Sequence, residues 1–351
     1  MKSDYSKLRE LLLDEESKKI FDARVEYMQT EDTVTFIKKM HGLYGSYQYS
    51  MLDDFLGDRK QTPLVIFGAG YEGEIAVEIL RHTKYASWMY AFCDNNRELW
   101  GKTKCNLPIV SIYDLLKGKK EYVFILASWT YNIHFLRQLQ RLNIPQRNIF
   151  VAPYGGFLFA KRGWQYFDVF QPTEHEVFVD AGAYDGMTSK DFLLWCQGKY
   201  NKIFMFEPNA DMEYFCLSNL EISDNVEFRG KGLWTKDTYL KFNNSQDSSS
   251  VEEVPCNSKE YDFVQVCSID SELKDENVTF IKMDIEGSEL KALQGAQKTI
   301  KSLKPRMAIS VYHKLDDIIN IMDYLFKLNP EYRYYLRHYS ACQWETVLYA
   351  I

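Results

Sequence analysis

One stretch constrains the fold more than any other in the 351 residues: Val177-Phe178-Val179-Asp180-Ala181-Gly182-Ala183-Tyr184-Asp185-Gly186. An apolar run of strand length ends in an acid, and glycines then turn the chain into a helix. Glycine lets backbone N–H groups approach a ligand closely, and the following helix offers its positive N-terminal end. Twenty-one residues past Gly186, a second apolar run, Lys202–Phe206, ends at Glu207 within Phe206-Glu207-Pro208-Asn209. An acid at the tip of the second strand is where nucleotide-binding α/β folds grip a ribose diol. The same residues also fit a tight βα turn with Glu207 as a surface acid.

The alternation continues on both sides. Val226–Arg229, Val278–Met283, Met307–Tyr312, Tyr332–Leu336 and Thr346–Tyr349 read as strands. Tyr239–Phe242 and Phe263–Ile269 read as an antiparallel hairpin across the polar, Ser-rich stretch 243–260. Upstream, Leu64–Phe67, Trp88–Cys93 and Tyr122–Ala127 alternate with helical Glu74–His82 and with a helix carrying Ile133, Leu136 and Leu139. Such alternation indicates βαβ units and a parallel sheet. Residues 1–58 are helical, with Phe21, Val25 and Met28 on one face. They predict an arm that packs on a neighbouring domain or joins two copies into a homodimer. The expected organisation is a helical segment (1–58), a smaller Rossmann-like domain (59–150), and a second α/β domain (151–351) that opens with an aromatic, Gly-rich connector over 151–172.

Composition excludes several classes. Aromatic residues at 15% require a core, so a disordered chain is ruled out. A net charge of −7 lacks the basic footprint of a nucleic-acid binder. No apolar run approaches the roughly 18 residues that span a bilayer, and the charged start MKSDYSKLRELLLDEESKK is no signal peptide. Seven cysteines without a C-x-x-C pair read as free thiols in a reducing cytoplasm, with no zinc or other metal site expected.

Two further constellations carry chemistry. In Phe280-Ile281-Lys282-Met283-Asp284-Ile285-Glu286-Gly287-Ser288-Glu289 a buried strand again ends in an acid, and Lys282 inside an apolar strand calls for a carboxylate partner. Tyr312-His313-Lys314 places a histidine at another strand end, beside Asp180, Glu207 and Asp284 on the same sheet edge. In the first domain, Gly68-x-Gly70-x-x-Gly73 with Asp94 twenty-one residues on reads alone as a dinucleotide fingerprint. That unit is short, however, and its Tyr113/Lys117 pair comes too early to serve a dehydrogenase.

From about 165 to 351 the chain resembles the FkbM family of S-adenosylmethionine-dependent methyltransferases. The motifs are VFVDAGAYDG, FMFEPN, FIKMDIEGSELKALQGA, AISVYHK and RHYS…ETVLYA. The resemblance implies a class I methyltransferase fold, a seven-stranded sheet with its last strand antiparallel, and oxygen methylation, often of sugars. It implies that Asp180, Gly182 and Gly186 line the methionine and ribose part of the cofactor, with Asp185 and Asn209 in the same motifs, that Glu207 holds the ribose hydroxyls, and that Asp284 lies by the transferring methyl. His313 is then the candidate base and Asp284 its orienter or an acceptor for the substrate hydroxyl. Glu286, Arg337 and His338 are candidate substrate-binding residues. The segment VIFGAGYEGEIAVEIL…AFCDNN…LPIV resembles the nucleotide-sugar-binding domain of bacterial sugar acyltransferases, which implies that Gly68, Gly70, Gly73 and Asp94 meet a sugar nucleotide; a degenerate domain used only for packing is the competing view. The leading expectation is an S-adenosylmethionine-dependent O-methyltransferase of a sugar or sugar nucleotide in bacterial polysaccharide or glycoconjugate biosynthesis. The alternatives are an NAD-dependent enzyme of nucleotide-sugar metabolism and a non-catalytic nucleotide-binding module. The missing dehydrogenase pair opposes the first, and the intact acids at 180, 207 and 284 oppose the second.

Overall fold

Apolar runs between turn residues become the strands of two largely parallel sheets in the computed structural model. It describes residues 5–44, 50–118, 120–128, 131–151, 164–220, 225–245, 248–252, 263–340 and 342–351. The chain divides into two compact units. One comprises Met1–Arg24, Arg162–His338 and Trp344–Ile351, and the other Val25–Lys161 and Tyr339–Gln343. Helices Ser6–Glu10, Glu15–Thr30, Thr33–Tyr44 and Ser50–Leu56 fill the segment before the first strand. Most of the expected connector, residues 152–163, lies outside the described residues, as do residues 246–247 and 253–260 of the polar stretch, its Cys256, and residues 261–262 after it.

The unit built on residues 25–161 holds a six-stranded sheet. Its strands are β1 (Leu64–Phe67), β2 (Met89–Cys93), β3 (Thr103–Lys104), β4 (Leu107–Val110), β5 (Val123–Leu126) and β6 (Ile149–Val151), in the order β3-β4-β2-β1-β5-β6. All pairs are parallel except β3 with β4. Central β1 and β5 are buried at every residue, as strands covered by helices on both faces must be. The strands of this sheet lie between residues 64 and 151.

The other unit holds β7 (Val177–Ala181), β8 (Lys202–Phe206), β9 (Val226–Arg229), β10 (Gly232–Leu233), β11 (Thr238–Ser245), β12 (Ser248–Glu252), β13 (Phe263–Cys267), β14 (Phe280–Met283), β15 (Arg306–Ser310), β16 (Tyr334–His338) and β17 (Thr346–Ala350). A seven-stranded sheet runs β16-β17-β15-β14-β7-β8-β9, and a four-stranded one β10-β13-β11-β12. The expected hairpin pairs β11 with β13 antiparallel, and the Ser-rich stretch adds a strand of its own, β12, beside β11. In the larger sheet β17 alone runs opposite to the other six strands. The aromatic core packs against it: Phe178 stacks on Phe192 at 4.2 Å, and Phe280 and Phe167 meet edge to face at 5.7 Å. Such pairs add about 0.5–1.5 kcal/mol each beyond burial.

Strand β16 would leave an open edge, and residues 11–17 cover it. Leu13 N–H donates to the Tyr334 carbonyl at 2.9 Å, Tyr334 N–H to the Leu11 carbonyl at 3.1 Å, and Leu336 N–H to Ser17 Oγ at 2.9 Å. Arg337 closes the clasp on Asp14 at 2.7 Å. Covering an edge in this way removes a template for unwanted strand pairing.

Candidate active site

Register decides what meets at the carboxyl edge of the larger sheet. Ala181 pairs with Phe206 on one side and with Met283 on the other, and Met283 pairs with Ile309. The residues that follow, Gly182, Glu207, Asp284 and the turn to His313, therefore leave the sheet at one level. Gly182 (φ +77°) passes so close to this edge that a Cβ would lie 1.8 Å from the Asp284 carbonyl oxygen, and a Cβ on Gly186 (φ +82°) would lie 2.8 Å from Cys216 Cα. Only glycine allows the loop to run here.

Lys282 has the carboxylate partner its position demanded. Its Nζ lies 3.0 Å from Asp180 Oδ1 and donates to the Gly182 carbonyl at 2.7 Å and the Ala181 carbonyl at 3.2 Å. Ser189 Oγ donates to Asp180 Oδ2 at 2.7 Å. Asp180 is thus fully enclosed, and its carboxylate fixes the glycine loop through Lys282. Half-buried Glu207 accepts backbone N–H bonds from Tyr184 at 3.1 Å and Asn209 at 3.0 Å. Burial pushes its carboxyl up, against those two bonds. Asp185 caps its own turn through Met187 N–H, and Asn209 caps the next through Asp211 N–H.

The densest cluster surrounds His313. Its Nδ1 lies 3.0 Å from Glu289 Oε1, although the ring N–H is not aimed straight at that oxygen. Its Nε2 lies 3.4 Å from Asp284 Oδ1 and 3.7 Å from Glu286 Oε2. Tyr166 donates to Asp284 Oδ2 at 2.7 Å, and Tyr312 to Asp284 Oδ1 at 3.2 Å. Tyr312 also reaches Glu345 Oε1 at 3.4 Å. Burial opposes a charged His313, but Glu289, Asp284 and Glu286 outweigh it and push the ring up to about 9. Burial, reinforced by Asp284, pushes Glu345 up to about 7. Burial beside Asp284 also raises both Tyr166 and Tyr312, so each hydroxyl stays a donor. Ligand atoms of Asp284, Glu289 and His313 lie within 4.8 Å of one another, a spacing that a metal ion can bridge. The two carboxylates, however, approach different nitrogens of the ring.

The sequence reading places Asp284, Glu286 and His313 together, as found. It assigns no role to Glu289, Tyr166, Tyr312 or Glu345. The only signal for Glu289 is its place five residues after Asp284; the others carry none. Arg337 and His338 lie at the same edge beyond β17. Arg337 holds Asp14, and His338, buried, sets Nδ1 2.9 Å from Thr346 Oγ1. In the smaller domain, Asp94 accepts from Ala69 N–H and Asn96 N–H, both at 2.7 Å, so its carboxylate braces the Gly68–Gly73 turn. Lys104 donates to the Ala69 carbonyl at 3.0 Å there, a Cβ on Gly73 would lie 1.9 Å from the Gly68 carbonyl oxygen, and Gly70 faces open space.

Numbered along the chain, the larger sheet reads 3-2-1-4-5-7-6 with its last strand antiparallel, which is the class I methyltransferase fold. Residues 180–337 match the model of the methyltransferase FkbM domain, so the chain carries such a domain and is a methyltransferase. The crystal structure of methyltransferase FkbM from Methylobacillus flagellatus KT shares the fold, with 21% identity, a TM-score of 0.50, and coverage of 95% of this chain and 99% of that one. Precorrin-6y C5,15-methyltransferase from Geobacter metallireducens GS-15, at 13% identity, a TM-score of 0.32, and 52% and 82% coverage, is too distant to bear on the assignment. No curated protein matches the chain. Among the described residues no helix is long and apolar enough to cross a membrane.

Proposed function

We propose that the chain is an S-adenosylmethionine-dependent O-methyltransferase whose acceptor is a sugar or sugar-nucleotide hydroxyl. The observation that carries this reading is the meeting of Glu207, Asp284 and His313 at one sheet edge. The donor set fits that cofactor. Glu207 can accept from a diol, and Asp284, Glu286 and Glu289 surround one imidazole with negative charge. Lys282 and Lys314 are turned to Asp180 and to the Gly287 carbonyl. An edge of this sign suits a sulfonium and an ammonium and disfavours the pyrophosphate of a dinucleotide. The sugar acceptor, and a place in polysaccharide or glycoconjugate biosynthesis, rest on the family resemblance, and a cytoplasmic location rests on the unpaired cysteine pattern.

S-adenosylmethionine, when bound, supplies a methyl group on a good leaving group, so the protein's main tasks are alignment and proton removal. Glu207 holds the ribose hydroxyls, and the loop Gly182–Gly186, fixed from beneath by Lys282, lines the cofactor. His313 Nε2 takes the proton of the acceptor hydroxyl. Asp284, held by two tyrosine hydroxyls, and Glu286 then stabilise the imidazolium. Because the carboxylates hold the ring protonated near neutral pH, His313 serves as base only in its deprotonated fraction.

The test is thermal shift and calorimetry with S-adenosylhomocysteine, NAD and UDP- or GDP-sugars in parallel. A response to S-adenosylhomocysteine that Glu207→Ala abolishes supports the reading. Tight NAD binding with no such response would overturn it. Methyl-transfer assays of His313→Ala with and without EDTA separate the base mechanism from metal activation of the hydroxyl.

A further inference from the structure

Glu289 is fully buried, yet its carboxylate has work beyond its own turn. Oε1 accepts N–H bonds from Ile285 at 2.9 Å and Gly287 at 3.4 Å, and the same oxygen lies 3.0 Å from His313 Nδ1. Oε2 is buried without a hydrogen-bond partner. A buried carboxylate in this condition is costly unless a cation or a donor compensates it. The imidazole opposite, with Nδ1 3.0 Å from Oε1, is the group placed to compensate it. With Nδ1 turned to Glu289, Nε2 is the nitrogen left to face Asp284, Glu286 and any acceptor hydroxyl.

We propose that Glu289 is the positioning residue of His313: it holds the imidazole by Nδ1–H, fixes that tautomer, and so presents a bare Nε2 as the base. The inference rests on the base reading above and replaces Asp284 with Glu289 as orienter, leaving Asp284 on the reacting side of the ring. The arrangement follows the general logic of a base oriented by a third group. Other groups also bear on the ring. Asp284 and Glu286 approach Nε2. Asp317 and Glu345 act at longer range from the following helix and from the segment before β17. Tyr312 packs against the ring at 4.2 Å, and the Lys314 ammonium is engaged by the Gly287 carbonyl.

A purely structural role for Glu289, bracing the turn from Asp284 to Gly287, is the competing account. Glu289→Gln separates the two, because the amide oxygen still accepts from Ile285 and Gly287 while the negative charge is gone. The full-length protein, labelled at its six histidines, is titrated by NMR, with His313→Asn identifying the signal. In the parent, neutral His313 is expected to carry its proton on Nδ1. In Glu289→Gln its titration midpoint should fall by about one pH unit or more, with the melting temperature and the S-adenosylhomocysteine affinity retained. Methyl transfer should lose about tenfold or more in kcat at unchanged KM for the cofactor. An unchanged midpoint, or a parent tautomer with the proton on Nε2, overturns the proposal; the tautomer decides alone if Glu289→Gln does not fold. A shifted midpoint together with full activity in His313→Asn would keep the Glu289–His313 coupling and discard the base reading instead.

Discussion

Removing the Lys282 ammonium tests whether the floor of the site is held by a compensated charge. Lys282→Met keeps most of the apolar stem but leaves Asp180, 0% exposed, with Oδ1 facing no cation. Ser189 still serves Oδ2, so the loss is that of one partner of a buried pair, about 3–5 kcal/mol. At about 2–4 °C per kcal/mol for a domain of this size, melting should fall by about 6–20 °C. Lys282→Met with Asp180→Asn removes both charges, and the amide can still bond Ser189. Because replacing a whole buried pair is often neutral, the double variant should recover most of the loss. The assay is thermal and urea unfolding of the three proteins, with S-adenosylhomocysteine calorimetry to read the Gly182 loop that Lys282 also holds. A single variant that melts within about 2 °C of the parent, or a double variant as unstable as the single, would refute the reasoning.

Other outcomes follow from the same geometry. Glu207→Ala should weaken S-adenosylhomocysteine binding about ten- to hundredfold, as loss of hydrogen bonds to a charged group implies; unchanged calorimetry removes Glu207 from the cofactor's site. Gly182→Ala forces a Cβ to within 1.8 Å of the Asp284 carbonyl oxygen at φ +77°, so a parent-like melting curve with full cofactor binding would contradict that close approach. With His313 raised to about 9 in the free protein, kcat/KM should climb about tenfold per pH unit below that value and level off above it; a flat profile over this range means another base. Arg337→Ala breaks a partly exposed pair with Asp14 and should cost at most about 1 kcal/mol in unfolding experiments, with KM for the acceptor unchanged.

Much of this architecture is legible in the sequence because the signals are local. Continuous apolar runs give β7, β8 and β14, and the acids that follow them mark the sheet edge. The glycines at 182 and 186 announce a close approach, and the structure supplies the atoms approached. Lys282 stands out as a charge in an apolar strand, but its partner Asp180 lies on the neighbouring strand, and only register identifies it. Glu289 and His313 are twenty-four residues apart, and as a first-turn acid Glu289 looks like an ordinary helix terminus. Tyr166 reaches Asp284 from a segment with no periodic pattern. Strand β12 escapes notice because its serines lack the β-branched and aromatic residues that signal a strand.

The clasp of residues 11–17 on β16 has a consequence for how the chain reaches its native state. Its hydrogen bonds join residues 319 positions apart in the case of Ser17 and Leu336. Synthesis runs from the N-terminus at about 5–20 residues per second, so the first helices wait on the ribosome for roughly a quarter of a minute or longer before their partner strand exists. Contacts of such long sequence separation are slow to close. Until that clasp closes, β16 stands as an open edge on which a nascent or partly unfolded chain can pair with another copy.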